Sequence, residues 1–356
     1  MNRFIQLHYL TAYPPSNPNR DDQGRPKTAY YGGVPRLRIS SQSLKRATRL
    51  SDVMINELAG QMGERTLQIG DLVLKHLLSR GFDESEAKEA ARTVTGVFGK
   101  IDAEANKKNS FHIRTRQLAF ISPDEKNAAF ELAEQIAKTG KVDNKISPMI
   151  LRKADGAVDI AMFGRMLAEE AEFNRDAAVQ ISHAITTHKA VSEDDYFTAA
   201  DDLKIPAEDT GAGFVGEAGF GSGIYYLYAC VNLDLLVRNL ESDLDLASRA
   251  VSSLAEALAV STPSGKQNSF AHQTRASYVR AESGNVQPRS LASAFLNPVG
   301  GKDLMNSSIQ RIEEYAEKFN KGYGPQFEST ETMNIESGNG TLKDIKYFVS
   351  RQVTDE

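Results

Sequence analysis

A single cysteine, Cys230, in 356 residues leaves no partner for an intrachain disulfide and excludes any multi-cysteine zinc site. That sparing use of thiols fits a reducing cytoplasm, which is the expected location. No apolar run approaches the roughly 20 residues that a membrane-spanning helix requires, and the opening MNRFIQLHYL carries no cleavable signal pattern. A serine elbow, a cysteine–histidine pair and a P-loop lysine are all missing, so an enzyme has no nucleophile to stand on. The expectation is a chain with no catalytic residue, cofactor, metal or membrane partner.

Positive charge is also in short supply, with a formal net charge of −5. Its distribution is lopsided. Residues 1–50 hold nine Lys and Arg (Arg3, Arg20, Arg25, Lys27, Arg36, Arg38, Lys45, Arg46, Arg49) against Asp21 and Asp22, a net +7, and the remainder is −12. Such asymmetry is what a polyanion-binding face on an acidic body looks like; a solvated basic loop looks the same.

The cations concentrate in RISSQSLKRATR at 38–49. A helix starting near Ser41 puts Gln42, Lys45 or Arg46, and Arg49 on one polar stripe, with Leu44, Ala47 and Thr48 behind. Lys45 and Arg49, about 6 Å apart along the axis, repel by a few tenths of a kcal/mol unless an anion lies between them. The hydroxyls of Ser40 and Ser41, free amides at the helix start and these cations suit a sugar-phosphate backbone.

FIQLHYL at 4–10 alternates as a strand, and Pro14, Pro15, Pro18, Gly24, Pro26 and YYGG at 30–33 signal a long loop after it. Residues 53–100 and 124–139 are predicted helical, capped at Asp83 and Asp124. AVDIAMFGRM (157–166), AAVQISHAITTH (177–188), GIYYLYACVNLDLL (223–236) and TRASYVRAES (274–283) are predicted strands; residues 243–260, 302–322 and 341–353 are predicted helices. Six glycines from 211 to 223 argue against a compact element there. The order implies an α+β, ferredoxin-like sheet of the kind RNA-recognition modules use, with a helical insertion and a glycine-rich excursion.

Other motifs carry less. GAGFVG (211–216) has the letters of a dinucleotide fingerprint but neither the strand before it nor the helix after it. His183 and His188, five apart on a strand, point to opposite faces and form no metal pair. Asp21-Asp22, Asp194-Asp195 and Asp201-Asp202 are more commonly solvated loop carboxylates than ligands or acid–base pairs. Tyr196 and Phe197, inside the excursion, suit wedging against bases without reading sequence.

Five segments in order carry a resemblance: NRDDxGxPKTAxxGG, RxRISSQSLKRATR, DIAMFGRM, SHAITTHKAVSEDDYFTAADDL and FGSGIYYLYACVNLDLL. Together they resemble the CasC family, the repeated backbone subunit of the type I-E CRISPR surveillance complex, Cascade. The resemblance implies a modified RRM palm (1–58, 156–192 and 224–356 with its C-terminal helices), inserted helical fingers (59–155) and a flexible glycine-rich thumb (193–223). It implies a non-enzymatic subunit that polymerises along a guide RNA, kinks it periodically and presents bases to a target DNA strand. Copies of itself and other Cascade subunits are its implied partners.

Carried over by position, the resemblance implies guide contacts at Arg20, Arg38, Ser40, Gln42, Lys45, Arg46 and Arg49, and further ones at Lys266 and Lys302. It places Met166 between bases and Phe197, Thr198 and Val215 at the kink, with Lys138, Lys141 and Lys145 toward target DNA. Tyr196 stands where the family often has Trp, and Val215 where a larger Leu can occur. Two other readings stay open: a loop-aspartate endoribonuclease like the backbone of type III complexes, through Asp21 or Asp22, and an oligomeric scaffold without RNA.

Overall fold

The alternation in FIQLHYL builds strand β1 (Phe4–Ser16), which runs on through the two prolines expected to end it. Pro14 and Pro15 lie beyond Thr11, the last residue paired with the neighbouring strand β10, so on that side no ladder donor is lost. Strands β2 (Thr28–Tyr31), β3 (Val34–Ile39), β4 (Glu64–Thr66), β5 (Ala119–Ile121), β6 (Val179–Ile181), β7 (Ala184–Thr186), β8 (Glu193–Ala199), β9 (Phe214–Asn232), β10 (Ala276–Gly284) and β11 (Ser329–Asn334) follow. The computed structural model describes residues 3–109, 111–141, 146–199 and 214–354. Two compact units emerge, one of Met1–Met54, Gln180–Val231 and Val251–Glu356, the other of Ile55–Val179 and Asn232–Ala250. No helix among the described residues is long and apolar enough to cross a membrane.

The first unit is built on a large antiparallel sheet in the order β11-β10-β1-β9-β7-β3-β2, an α+β arrangement. The expected long loop after β1 holds the hairpin β2–β3, paired from Thr28↔Leu37 to Tyr31↔Val34. Both faces of the sheet are covered at β1. Ile5, Leu7 and Tyr9 are buried on one side, where the Tyr9 hydroxyl donates to Ala255 O at 3.1 Å. Gln6, His8 and Leu10 are buried on the other, where Leu10 joins Tyr226, Tyr278, Phe295 and Ile312 in one cluster. Arg36, fully buried, donates to Tyr31 O, Thr186 O and Phe295 O, so this cation stitches β3 to its surroundings.

In the second unit, helices Ile69–Ser79, Glu84–Phe98 and Pro123–Thr139 pack Val73, Leu77, Ala91, Val94, Leu132 and Ile136 into one core. Asp83 caps its helix by accepting from Ser85 N, as its position predicts. The next cap is Ser122, where Asp124 is expected. Ser122 and Glu125 form a reciprocal capping box with Pro123 in the first turn, which leaves Asp124 inside the helix. DIAMF, expected as a strand, is the short helix Val158–Phe163. Five of its six residues are buried, so no polar face marks its period, and a short run buried all round reads equally as strand or helix.

Just beyond that helix, the buried Arg165 guanidinium meets the buried Glu125 carboxylate and also donates to Phe120 O, Arg152 O and Phe173 O. Glu125 in turn accepts from the amides of Ser122 and Arg152. Removing one member leaves the other charged, buried and unpaired, which costs about 3–5 kcal/mol. Arg165→Met is therefore expected to lower unfolding stability by about that much in urea denaturation; a loss under about 1 kcal/mol, the size of an exposed pair, contradicts this anchoring role.

Candidate nucleic-acid interface

Helix α1 (Ser41–Arg49) begins where Ser40 holds an extended backbone and its Oγ accepts from Ser43 N at 3.3 Å. Leu44 and Thr48 are buried, Gln42 and Arg46 are exposed, and Lys45 and Arg49 are half-buried. Arg46 and Arg49 occupy the last turn, where the helix dipole favours cations. Burial pushes the Lys45 pKa down. The cationic stripe is thus split, with Gln42 and Arg46 outermost.

The amides at the start of α1 do not form the open row expected of them. Ser40 N donates to Asn19 Oδ1 at 2.8 Å and Ser41 N to His183 Nδ1 at 2.9 Å. Ser43 N goes to the Ser40 hydroxyl, and Leu44 N to Ser40 O at 3.1 Å. Ser40 itself, expected as a backbone contact, is only 5% exposed and its hydroxyl serves as the cap. With the amides of Ser40, Ser41 and Ser43 taken by side chains, anion binding here falls chiefly to side chains.

Those side chains line an open groove of about 940 Å³. Arg20, Asp21 and Asp22 come from the loop after β1, Ser43 and Arg46 from α1, and Thr262 and Ser264 from the segment after helix Leu244–Val260. Arg20 and Gly24 also border a second groove of about 260 Å³, with Arg25 and Lys266. Arg20, Arg46 and Lys266 are therefore brought along one connected surface. Asp21 is occupied in its own turn, its Oδ1 accepting from Gln23 N and Arg25 N. Arg25 is held by carboxylates of the β8–β9 arm, Asp194 at 3.4 Å and Glu217 at 3.6 Å.

Along that arm, Thr198 pairs with Val215 and Phe197 with Gly216, so the three expected kink residues occupy adjacent rungs. The glycines from 216 onward, expected to oppose regular structure, lie inside β9 instead. Gly216 shows why: a Cβ there would fall 2.4 Å from Phe197 Cζ, so its absence seats the ring across the strand pair. Phe197 remains 44% exposed, Val215 50% and Tyr196 70%. Residues 200–213, with Asp201-Asp202 and the first half of GAGFVG, lie outside the described residues.

The remaining expected contacts are dispersed. Arg38 in β3 is half-buried, its Nε reaching Thr28 O at 3.4 Å. Lys302 is exposed just before the Asp303 cap of helix Leu304–Tyr323. In the second unit Met166 is 85% exposed, displayed by its neighbours. Gly164 turns at φ +77, where a Cβ would meet Arg175 O at 2.9 Å, and Arg165 anchors inward. Lys138 pairs with Glu134 at 3.3 Å, Lys141 is exposed past the helix end at Gly140, and Lys145 lies outside the described residues. Among the described residues, no group of His, Cys, Asp and Glu is arranged to hold a metal.

Sequence reasoning missed Ser43, Arg25 and two asparagines. Asn19 supports the cap of α1, and the buried Asn17 donates to Gly24 O at 2.9 Å and Gly219 O at 2.8 Å, fixing the loop to β9. The only signal for either was the turn-prone SNPN at 16–19. Asn17→Ala strands two carbonyls, at about 1–3 kcal/mol. Faster amide hydrogen exchange across residues 18–26 is the expected outcome, and exchange as in the parent protein contradicts the clamp.

The model of a family described as CT1975-like protein matches residues 5–350. A chain from a solved "CRISPR RNA-guided surveillance complex, pre-nicking" superposes with a TM-score of 0.86 at 31% identity, covering 98% of this chain and 99% of that one. A second, from a "CRISPR RNA-guided surveillance complex", gives a TM-score of 0.61 at 26% identity, covering 99% and 98%. No curated protein matches. With the match running nearly end to end over the sheet, α1 and the arm, the chain belongs to the CT1975-like protein family.

Proposed function

We propose that this chain is the guide-RNA-binding backbone subunit of a CRISPR surveillance complex of the type I-E Cascade kind, and that it cleaves nothing itself. The observation that carries the reading is the groove that gathers Arg20 and Arg46 and leads on to Lys266, in a chain acidic overall. Likeness along the full length to two surveillance-complex chains supports it. The sheet order β10-β1-β9-β7, with α1 and helix Leu244–Val260 between its strands in sequence, supports an RRM-like palm. Because both faces of β1 are covered, the RNA is gripped beside the sheet and not across it.

On this reading Arg20, Gln42, Lys45, Arg46, Arg49 and Lys266 hold phosphates, with Arg38 and Lys302 as outlying contacts. Phe197, Thr198 and Val215 wedge the strand at regular intervals, and Met166 separates bases. Copies of the subunit follow one another along the guide, alongside other Cascade subunits, while base pairing selects the target DNA. Lys138 and Lys141 on the finger-like unit attract that DNA, tempered by Glu134 beside Lys138.

Each phosphate contact on a single strand contributes about 0.7 to the slope of log affinity against log salt. Arg46→Ala is expected to weaken RNA binding and flatten that slope by about 0.7, read by fluorescence anisotropy over a salt series; an unchanged slope rejects the groove as the RNA path. The loop-aspartate nuclease is tested separately by incubating guide-loaded protein with labelled complementary RNA and Mg²⁺. Intact RNA is expected, whereas regularly spaced cuts abolished by Asp22→Ala overturn the binding-only reading.

A further inference from the structure

At the start of α1, one backbone donor that an anion would use is taken by the imidazole of a distant histidine. Ser41 N–H, a donor that cannot become an acceptor, points at His183 Nδ1 from 2.9 Å. Nδ1 must therefore present its lone pair, and in the neutral ring the proton belongs to Nε2. The two ring nitrogens diverge, so Nε2–H points away from the helix. His183 is exposed, and among the described residues Nε2 makes no hydrogen bond of its own. Partial burial, with Arg38 and then Lys27 acting on it, lowers the imidazole's pKa. Protonation would also set a second donor against Ser41 N–H.

We propose that His183 is a further guide contact, a neutral donor whose Nε2–H bonds a non-bridging phosphate oxygen beside the cations of α1. The inference rests on the guide-RNA reading above and deepens it. Asn19 and the Ser40 hydroxyl already take the amides of Ser40 and Ser43, and the imidazole relays outward the donor that Ser41 N–H no longer offers. Arg38 and Lys27, whose charges reach the ring, attract the same phosphate.

A neutral donor leaves a signature that a cation does not: it adds affinity but releases no counterion. Full-length protein is titrated with fluorescein-labelled polyuridylate, and with a single-stranded DNA of equal length, over a salt series. His183→Ala is expected to weaken binding about 3- to 10-fold at every salt concentration with the slope unchanged. His183→Gln, whose amide both accepts from Ser41 N–H and donates outward, is expected to restore most of the loss. The same loss is expected with DNA, since the phosphate is common to both. In the unsubstituted protein labelled with ¹⁵N-histidine, His183 is expected in the Nε2–H form, with its Nε2 resonance shifting when RNA is added.

His183→Ala binding like the parent, while Arg46→Ala binds weakly with a flatter slope, overturns the role of His183 and leaves the guide reading standing. Arg46→Ala with an unchanged slope removes the guide reading itself. A flatter slope in His183→Ala rejects the neutral donor, and a loss seen with RNA alone rejects phosphate as the acceptor. A lowered melting temperature without rescue by Gln, or an Nε2 resonance unmoved by RNA, reduces His183 to a helix support.

Discussion

Two asparagines in one loop set the geometry on which the candidate interface depends. Asn17 fixes the loop after β1 to the backbone of β9, and two residues later Asn19 takes the first amide of the α1 cap. Neutral side chains suit this work, because each holds a backbone group without adding charge beside a groove where Arg20 and Arg46 already stand among Asp21, Asp22 and Asp52. Arg20 follows directly, so the same short segment that docks on β9 and α1 delivers a guanidinium to the groove shared with Arg46.

The basic residues of the first fifty positions have separate fates. Arg36 is sealed among carbonyls, Arg25 is shared by two carboxylates of the arm, and only part of the set faces the grooves. Arg25 with Asp194 and Glu217 lies at the foot of the β8–β9 arm, where half-exposed ion pairs are worth little in stability but orient their partners. The arm presents Phe197 across Gly216, with its polar neighbours exposed to water.

In the second unit, display and anchoring alternate along three residues. Gly164 makes the turn, Arg165 reaches into the buried site of Glu125, and Met166 is left in solvent. An exposed methionine next to a buried arginine inverts the usual preference of both, and the inversion is held by the four acceptors that surround the guanidinium.

By itself, the sequence determined β1 through its alternation, the start of α1 near Ser41, the cap at Asp83, the long C-terminal helices, the charge asymmetry and the ordered motifs of the family. The strand, the cap and the helices depend on neighbours a few positions apart, and the charge and the motifs are read from the order of residues alone. Tertiary structure alone decided which cations reach the groove, that Ser41 N–H is taken by a histidine 142 positions away, and that Asn17 meets Gly219 across 202. It also decided that DIAMF is a helix and that the glycines after 216 lie within a strand, since burial on every side erases periodicity and a cross-strand ring compensates for missing side chains. Local pattern fixes an element's own hydrogen bonds; the partner of a side chain is fixed only once the chain has brought distant segments together.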